Sequence, residues 1–598
     1  MSRMYQNMVM CDGDSPRALY YAGRGDVRED AGGLRLGAGA EVDFDGYFNA
    51  LFACVPVRLC GLRMMRLCLL LTGSGVLRLQ RRDSNGSVRT VVERHFSGVQ
   101  NGNVFLELEL SEKDENARFH PQVAAIDSTL HVHGGGWLAQ RAESQQVHLN
   151  VVICTHRKRE YLERNVKSLL DYAPLQAESW SLLVVDNASE IPHDFFPHPR
   201  VRIIHQENVG GSGGFTRGLM ESMRGEATHV LFMDDDAITP PESVYRILQV
   251  HRHANKKSCF GGAMLDLFRP NEMWESCAHI EPGDFRTIVS HHNRWDLSNS
   301  RKLDDLCVLV EPASTRFCGW WFFSLPVDAA QTSGLPLPCF IRGDDQEYGI
   351  RLFEKGFPSY PLPGVGTWHE AFYAKPSTWI VYFIVYNQLL LATYHEFWKF
   401  DDLVHGMEDH VTRAMALADY GAAEQALNAI ADFLKGPEYL MSSIPSTRLE
   451  QALATSRRCH LEQIPYAEKP TIDYPNRLGI TCLLCTVLRG KKSPKQARRA
   501  KKALSILGIR RKRIVVPKRR LTWRHGLIAD EVVVIPAVEQ PCLVLRFDQN
   551  EEERLLARAE QVMDSFQKNG RSALAEFKAN FGKLTSREFW EAYLHINR

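Results

Sequence analysis

Between residues 148 and 233, short apolar runs alternate with stretches of helical character, and this alternation restricts the fold more than any other feature of the chain. Residues 148–153 (HLNVVI), 182–185, 201–204 and 229–233 are apolar runs of strand length, and 160–170 carries its apolar residues at helical spacing. Runs without polar alternation belong to strands covered on both faces, and parallel neighbours need crossover connections. The pattern therefore predicts an α/β unit with a largely parallel sheet. Ligands of such sheets gather outside the carboxyl ends of the strands. The pattern continues to about residue 395.

The chemistry-bearing residues sit at those strand ends. The run at 229–233 leads directly into Asp234, Asp235 and Asp236. Adjacent carboxylates repel, and closing a buried strand with three is costly unless a cation binds there. Mg²⁺ or Mn²⁺ with a nucleotide diphosphate fits, because hard cations take carboxylate oxygens and bridge to phosphate. A solvated acidic turn is the bland alternative. The first run ends in Cys154-Thr155-His156-Arg157, a hydroxyl and a guanidinium placed to hold phosphate or base. The second ends in Asp186-Asn187, a carboxylate able to accept from a base N–H or a ribose hydroxyl. The third leads to Asn208-Val209-Gly210-Gly211-Ser212-Gly213-Gly214-Phe215, read as a glycine-rich loop that lets backbone approach a ligand. It is neither a Walker loop nor GxGxxG. Further on come Phe317-Cys318-Gly319-Trp320-Trp321, then Arg342-Gly343-Asp344-Asp345, then Gly366-Thr367-Trp368-His369. Singly, these read as core aromatics or the acidic first turn of a helix.

In this order the motifs resemble the family-2 inverting glycosyltransferases of GT-A fold. Within that family the chain is most similar to the polymerising galactofuranosyltransferases of the mycobacterial cell wall. The motifs lie between about residues 150 and 372, and elsewhere the likeness is one of layout. The resemblance implies a metal held by Asp234, Asp236 and His369. It implies a nucleotide sugar held by Thr155, Arg157, Asp186, Asn208, Gly211, Asp234, Asp235 and Glu275. Asp345, with Asp344 beside it, would be the catalytic base, and Trp320, Trp321 and Arg342 would line the acceptor side. Arg342 and Gly343 depart from the family pattern, which favours a lysine and a bulkier residue there.

These roles also make chemical sense on their own. Inverting transfer needs one base to take the acceptor proton, and a carboxylate beside another has one raised pKa. A divalent cation relieves the leaving diphosphate of charge, and tryptophan faces stack on sugars.

The flanks are of different texture. Residues 1–145 read as all-β: 40–45 and 106–110 alternate with period two, and 69–71 and 76–79 flank Thr72-Gly73-Ser74-Gly75 as a hairpin. A β-sandwich of jelly-roll type is expected, as a sugar-binding module or a scaffold. Residues 396–598 read as mostly helical, with helices expected over 410–434 and 552–566. The full expectation is a multidomain α/β protein: a β-sandwich at 1–145, a Rossmann-like GT-A unit at 146–395 and a helical region at 396–598.

The chain carries 72 basic and 71 acidic residues, so a nucleic-acid partner is not expected overall. Residues 489–524, however, hold sixteen Lys or Arg and no Asp or Glu. With the apolar 478–488 before it, this segment is read as an anionic-membrane surface; RNA binding and a solvated face are the alternatives. The apolar stretch 379–393 is interrupted by Asn387 and Gln388 and falls short of a membrane span. No export signal is read at 1–14. The cysteines, including Cys482 and Cys485, are read as reduced thiols.

The sequence thus leads to a Mn²⁺- or Mg²⁺-dependent inverting transferase on the inner face of a membrane. UDP-galactofuranose is the expected donor and a lipid-linked cell-envelope glycan the acceptor, with room for a homo-oligomer. UDP-galactose or dTDP-rhamnose is the alternative donor, and a noncatalytic carbohydrate-binding scaffold the alternative of another class. A nucleotidyltransferase would put a Gly-rich, Arg-containing loop after the first strand, and Cys154-Thr155-His156-Arg157 is not one.

Overall fold

The computed structural model describes all residues except 1–2, 12–15, 31, 142–144, 283–284, 286–287, 371, 375–377, 444, 460, 475–493 and 597–598. The segment 478–488, the Cys482/Cys485 pair and the start of the basic segment therefore lie outside the described residues.

The N-terminal unit is all-β, as its alternation predicts. Seven of its ten strands are hydrogen-bonded in one antiparallel path and the other three pair onto it, and the pairing does not divide into the two sheets of a jelly roll. The expected hairpin at 72–75 is absent. Met64–Arg82 is one strand, pairing first with Leu130–Ala139 and then with Arg118–Ala125. Its pairing with Val88–Glu109 slips in register around Gly73, so the glycines bend the strand instead of reversing it. Trp137, Phe44 and Leu69 share one hydrophobic cluster with Val151 and Ile153 of the central sheet. Tyr47 donates a 2.9 Å hydrogen bond to the Val365 carbonyl, and Phe48 packs 5.5 Å from Trp368. The β unit thus supports the strand that ends in His369.

The central sheet has nine strands. Leu149–Thr155 lies between Trp180–Asp186 and His229–Asp234, both parallel to it, and Val201–His205 forms the edge. Antiparallel Phe322–Pro326 follows, then Cys259–Asp266, to which Ser359–His369 is parallel. Val151, Val152 and Ile153 have no exposed surface, which accounts for the unbroken apolar run. Each such burial stabilises the sheet by roughly 1.5–3 kcal/mol. The glycine-rich segment is the start of the helix Gly210–Arg224, not a loop. A Cβ on Gly214 would sit 2.1 Å from the Cys154 sulfur, so the glycine lets this helix press onto the first strand.

The helical layer begins at Ile380, inside the segment assigned to the α/β unit. Helix Ile380–Tyr394 packs against Phe400–Ala416, Tyr420–Phe433 and Gln549–Ala579. The helix expected over 410–434 is two, broken at Ala418, whose φ is +60°. A four-stranded sheet also occurs in this region, in the order Glu462–Ile464, Cys542–Arg546, Ala529–Ile535, Arg511–Pro517.

The basic segment is partly built into that sheet and into helix Pro494–Ile506. Lys501 pairs with Glu552 at 2.8 Å, Arg498 with Glu553 at 2.6 Å, Arg510 with Asp530 at 2.5 Å and Arg513 with Glu531 at 2.8 Å. With Lys495, Arg511 and Arg519, seven of its thirteen described basic residues are ion-paired within the chain. Arg499, Lys502, Lys512 and Arg520 are exposed and make no ion pair among the described residues. Ile506 and Leu507 stand out at 77% and 62% exposure beside them. Among the described residues no helix is long and apolar enough to cross a membrane, and no disulfide joins any two of the twelve described cysteines.

Candidate active site

The carboxyl ends of the central strands open on a cavity of about 720 Å³. Asp234, Asp236 and His369 line one side of it, Asp344, Asp345 and Arg342 another, and Glu275, Trp320, Trp321 and Gly211 complete the set of expected residues that reach it.

Asp234 ends its strand and Asp236 follows in the turn, while His369 arrives from the parallel pair Cys259–Asp266 and Ser359–His369. His369 Nε2 lies 3.0 Å from Asp236 Oδ1 and 3.5 Å from Asp234 Oδ2. One ligand atom from each residue lies within 4.8 Å of the others. Nδ1 of His369 lies 2.8 Å from the Glu370 carbonyl, so the proton sits there and Nε2 faces the carboxylates. That is the arrangement in which an outer hydrogen bond orients a histidine ligand. Burial disfavours the histidine's charged form, yet hydrogen bonds with Asp234 and Asp236 outweigh it and hold the pKa at about 9. Two carboxylates and an imidazole with their donor atoms converging fit a divalent cation.

Asp235 turns away from the cavity. It accepts the Thr155 hydroxyl at 2.7 Å and the His156 N–H at 3.3 Å. Burial and then the charge of Asp236 push it up to about 7. Thr155 and Asp235, expected at the nucleotide, bond to each other here and tie the first strand to the acidic turn. Asp186 differs too. It is 1% exposed, and its carboxylate accepts the N–H groups of Ala188, Glu190 and Ile191 at 2.8–2.9 Å, capping its own loop. Arg157 is exposed, with φ +60°, and pairs with Glu190 at 3.0 Å. Asn208 accepts the Gly210 N–H at 3.1 Å. These residues ring the strand ends without lining the cavity in this conformation.

Asp344 and Asp345 open helix Asp344–Glu354 after a turn in which Phe340, Arg342 and Gly343 all have positive φ. Burial raises both carboxyl pKa values. Asp344 goes to about 8 because Asp345 repels it, and Asp345 to about 6 because Arg342 offsets part of its burial. The two share their protons as one pair. Asp345 Oδ1 accepts the Gln346 N–H at 2.9 Å, leaving Oδ2 for another donor. Arg342 is the cation beside Asp344 and Asp345, and its guanidinium lies 3.9 Å from the centroid of Phe372. Glu275 is buried, raised by that burial to about 7, and accepts the Ser290 hydroxyl.

The two tryptophans are not equivalent. Trp321 donates its N–H to the Gly262 carbonyl at 2.9 Å. Trp320, 4% exposed, is wedged edge-on against Phe232 and Phe215, and its N–H finds no partner among the described residues. This leaves Trp320 with an unspent donor at the cavity wall.

Sequence reasoning missed Phe372, Gln346 and the helical wall of Ile380, Ile384 and Gln388. The break of the apolar run at Asn387 and Gln388 was the available signal for that wall.

Comparison with known proteins agrees with this geometry. Residues 150–301 match the family described as Glycosyl transferase family 2. The chain is 30% identical over 437 residues to the galactofuranosyltransferase GlfT2 of Mycobacterium tuberculosis, covering 69% of this chain and 68% of that protein. It is 29% identical to GlfT2 of Mycolicibacterium smegmatis, over 69% and 67% of the two chains. The solved mannosyltransferase PcManGT of Pyrobaculum calidifontis, in complex with GDP-Man and Mn²⁺, aligns with 53% of this chain and 83% of its own. Its 13% identity and TM-score of 0.30 are too low to transfer a role to any residue. Over two thirds of its length, around one acid-rich cavity, this chain is a glycosyltransferase and belongs to glycosyl transferase family 2, among the relatives of the galactofuranosyltransferases.

Proposed function

We propose that the protein is a metal-dependent inverting glycosyltransferase that moves galactofuranose from UDP-galactofuranose to a hydroxyl of a growing, lipid-linked cell-envelope glycan. The observation that carries this reading is the convergence of Asp234, Asp236 and His369 with Asp344, Asp345, Glu275 and Trp320 on one cavity, from five separate stretches of sequence. A carbohydrate-binding scaffold has no use for three converging metal ligands beside a raised carboxylate pair. Mn²⁺ or Mg²⁺ held by Asp234, Asp236 and His369 would supply positive charge to the diphosphate of the donor.

The acceptor hydroxyl gives its proton to Asp345, and its oxygen bonds to the anomeric carbon from the face opposite UDP. The bond to the diphosphate breaks with its electron pair leaving on UDP, and the anomeric centre inverts. The pair titrates as a unit, and the Arg342 guanidinium favours the charged form of Asp345 more than that of Asp344, so Asp345 is taken as the carboxylate that acts as base near neutral pH. Glu275 and the Trp320 N–H supply hydrogen bonds to sugar hydroxyls, and Trp321 and Arg342 border the acceptor. We assign the nucleotide sugar to the unit at 146–379, support to the β unit at 1–145, and the acceptor wall to the helical region.

The exposed Arg499, Lys502, Lys512 and Arg520, next to Ile506 and Leu507, support a peripheral site on an anionic membrane face. A donor screen with purified protein, with Mn²⁺ and with EDTA, tests the proposal. Metal-dependent release of UDP from UDP-galactofuranose in the presence of a galactofuranosyl acceptor is expected. Turnover only with UDP-galactose or dTDP-rhamnose would replace the donor, and metal-independent turnover would remove the assigned ligand set.

A further inference from the structure

Helix Ile380–Tyr394 is apolar except where Asn387 and Gln388 interrupt it. A buried leucine would continue the pattern at 387, yet the residue is an amide, 2% exposed. Its Nδ2 lies 2.9 Å from the carbonyl oxygen of Cys339, 3.0 Å from that of Ile341 and 2.6 Å from that of Arg342. Three acceptors around one nitrogen fix the amide's orientation, since the swapped form would set Oδ1 against three carbonyls. Oδ1 itself finds no partner among the described residues. A buried acceptor left unpaired costs stability, so what favours the residue here is its donor.

We propose that Asn387 is a positioning residue that clamps the turn carrying the Asp344–Asp345 pair. Phe340 and Arg342 both have φ +66° and Gly343 has φ +85°. Such a turn satisfies few of its own carbonyls and persists only when its surroundings hold it. Two grips are visible. From the donor side, Ser212 donates its N–H to the Phe340 carbonyl at 3.1 Å and its hydroxyl to the Leu337 carbonyl at 2.8 Å. From the helical layer, the two N–H bonds of the Asn387 amide are shared among the carbonyls of Cys339, Ile341 and Arg342. The close approach also accounts for glycine at 343, where the family favours a bulkier residue. A Cβ there would lie 3.0 Å from the Asn387 Cβ, on a backbone of positive φ. The helical layer is therefore part of the catalytic geometry as well as the wall of the cavity.

The proposal rests on the reading of Asp345 as the base, and the test separates the two. Asn387→Ala removes the donor, and Asn387→Asp keeps the shape while turning an oxygen toward the carbonyls. A shift of the base by about 1 Å costs on the order of a hundredfold in rate. The expected result for either variant is a kcat lowered about ten- to a hundredfold, a donor KM and UDP·Mn²⁺ affinity within about threefold of wild type, and faster amide hydrogen exchange across residues 339–346. A merely structural role would lower kcat only with the folded fraction and would leave exchange in this segment no faster than elsewhere. If Asn387→Asp fails to fold, the alanine variant carries the test. Wild-type kcat beside an inactive Asp345→Asn overturns the clamp. Full turnover in Asp345→Asn removes the base assignment instead, and the clamp is then decided by exchange alone: faster exchange in 339–346 supports it and unchanged exchange overturns it.

Discussion

Replacing Gly210 by alanine probes the contact between the donor-side helix and the catalytic turn without touching a charged group. Gly210 has φ +73°, and a Cβ built on it would lie 2.0 Å from the Phe340 carbonyl oxygen and 2.6 Å from its carbon. The left-handed backbone alone costs an L-residue roughly 1–2 kcal/mol. The overlap is with backbone, which no rotamer change relieves, and forced repacking adds about 1–3 kcal/mol. Together they give about 2–5 kcal/mol, or a fall in Tm of roughly 4–20 °C for a cooperative unit the size of the central domain. If the turn yields instead of the helix, Asp345 moves with it and kcat drops on the order of a hundredfold. Thermal unfolding and steady-state transfer, measured on the same preparation, read both effects. Gly582→Ala is the control, because its Cβ would meet nothing within 4 Å. A Gly210→Ala protein with the Tm and kcat of wild type would refute the argument that this helix start braces the turn.

Three other outcomes are expected. His369→Ala should lower Mn²⁺ affinity, read by calorimetry on the unliganded protein, by at least about a hundredfold, more than loss of an outer partner causes; an unchanged affinity would exclude His369 as a ligand. Asp344, whose pKa rises from 3.8 to about 8 on folding, binds a proton in the folded state that the unfolded chain releases. The associated stability is therefore present below about pH 4 and lost as pH rises toward 8. Asp344→Asn should accordingly melt above wild type at pH 8 and converge with it at pH 4, whereas parallel Tm–pH curves would contradict this. Ile506→Ser with Leu507→Ser should weaken sedimentation with anionic vesicles about tenfold or more, since each side chain offers up to about 2 kcal/mol of burial; equal sedimentation would remove these residues from the membrane face.

The parallel sheet and the acidic strand end were legible because burial on both faces leaves an apolar run and because three adjacent carboxylates are hard to explain otherwise. Residues whose role depends on direction were not. Asp234, Asp235 and Asp236 read alike in sequence, yet successive side chains point opposite ways, so the outer two face the cavity and the middle one faces Thr155. Asp186 and Thr155 sit at strand ends, where ligands gather, but their hydrogen bonds are consumed by the local loop and turn. The glycines at 210–214 suggested a ligand loop, while their packing against Cys154 and Phe340 depends on elements far away in sequence. The C-terminal sheet was hidden for a similar reason. Ile514, Val515 and Val516 form a buried strand, but the surrounding arginines and lysines, whose carboxylate partners lie up to dozens of residues away, made the segment look solvated.

The same asymmetry explains how the site tolerates its charge. Asp234, Asp236, Asp344, Asp345 and Glu275 face one cavity, with Arg342 beside the Asp344–Asp345 pair and Lys158 and His369 beside Asp236 as partial counter-charges, and three of the five pKa values are raised by burial. Such a cluster destabilises the fold at neutral pH unless its carriers are held from outside. The holding contacts come from every layer: Phe48 and Tyr47 of the β unit behind the His369 strand, Ser212 of the donor-side helix, and Asn387 of the helical layer. Tyr47, Ser212 and Asn387 act on backbone carbonyls and Phe48 on the Trp368 ring, so these neutral anchors fix the acids without cancelling the charge that a metal–diphosphate complex would compensate. Ligand binding should therefore stabilise this protein more than burial of the ligand alone accounts for, because it also relieves repulsion already built into the folded state.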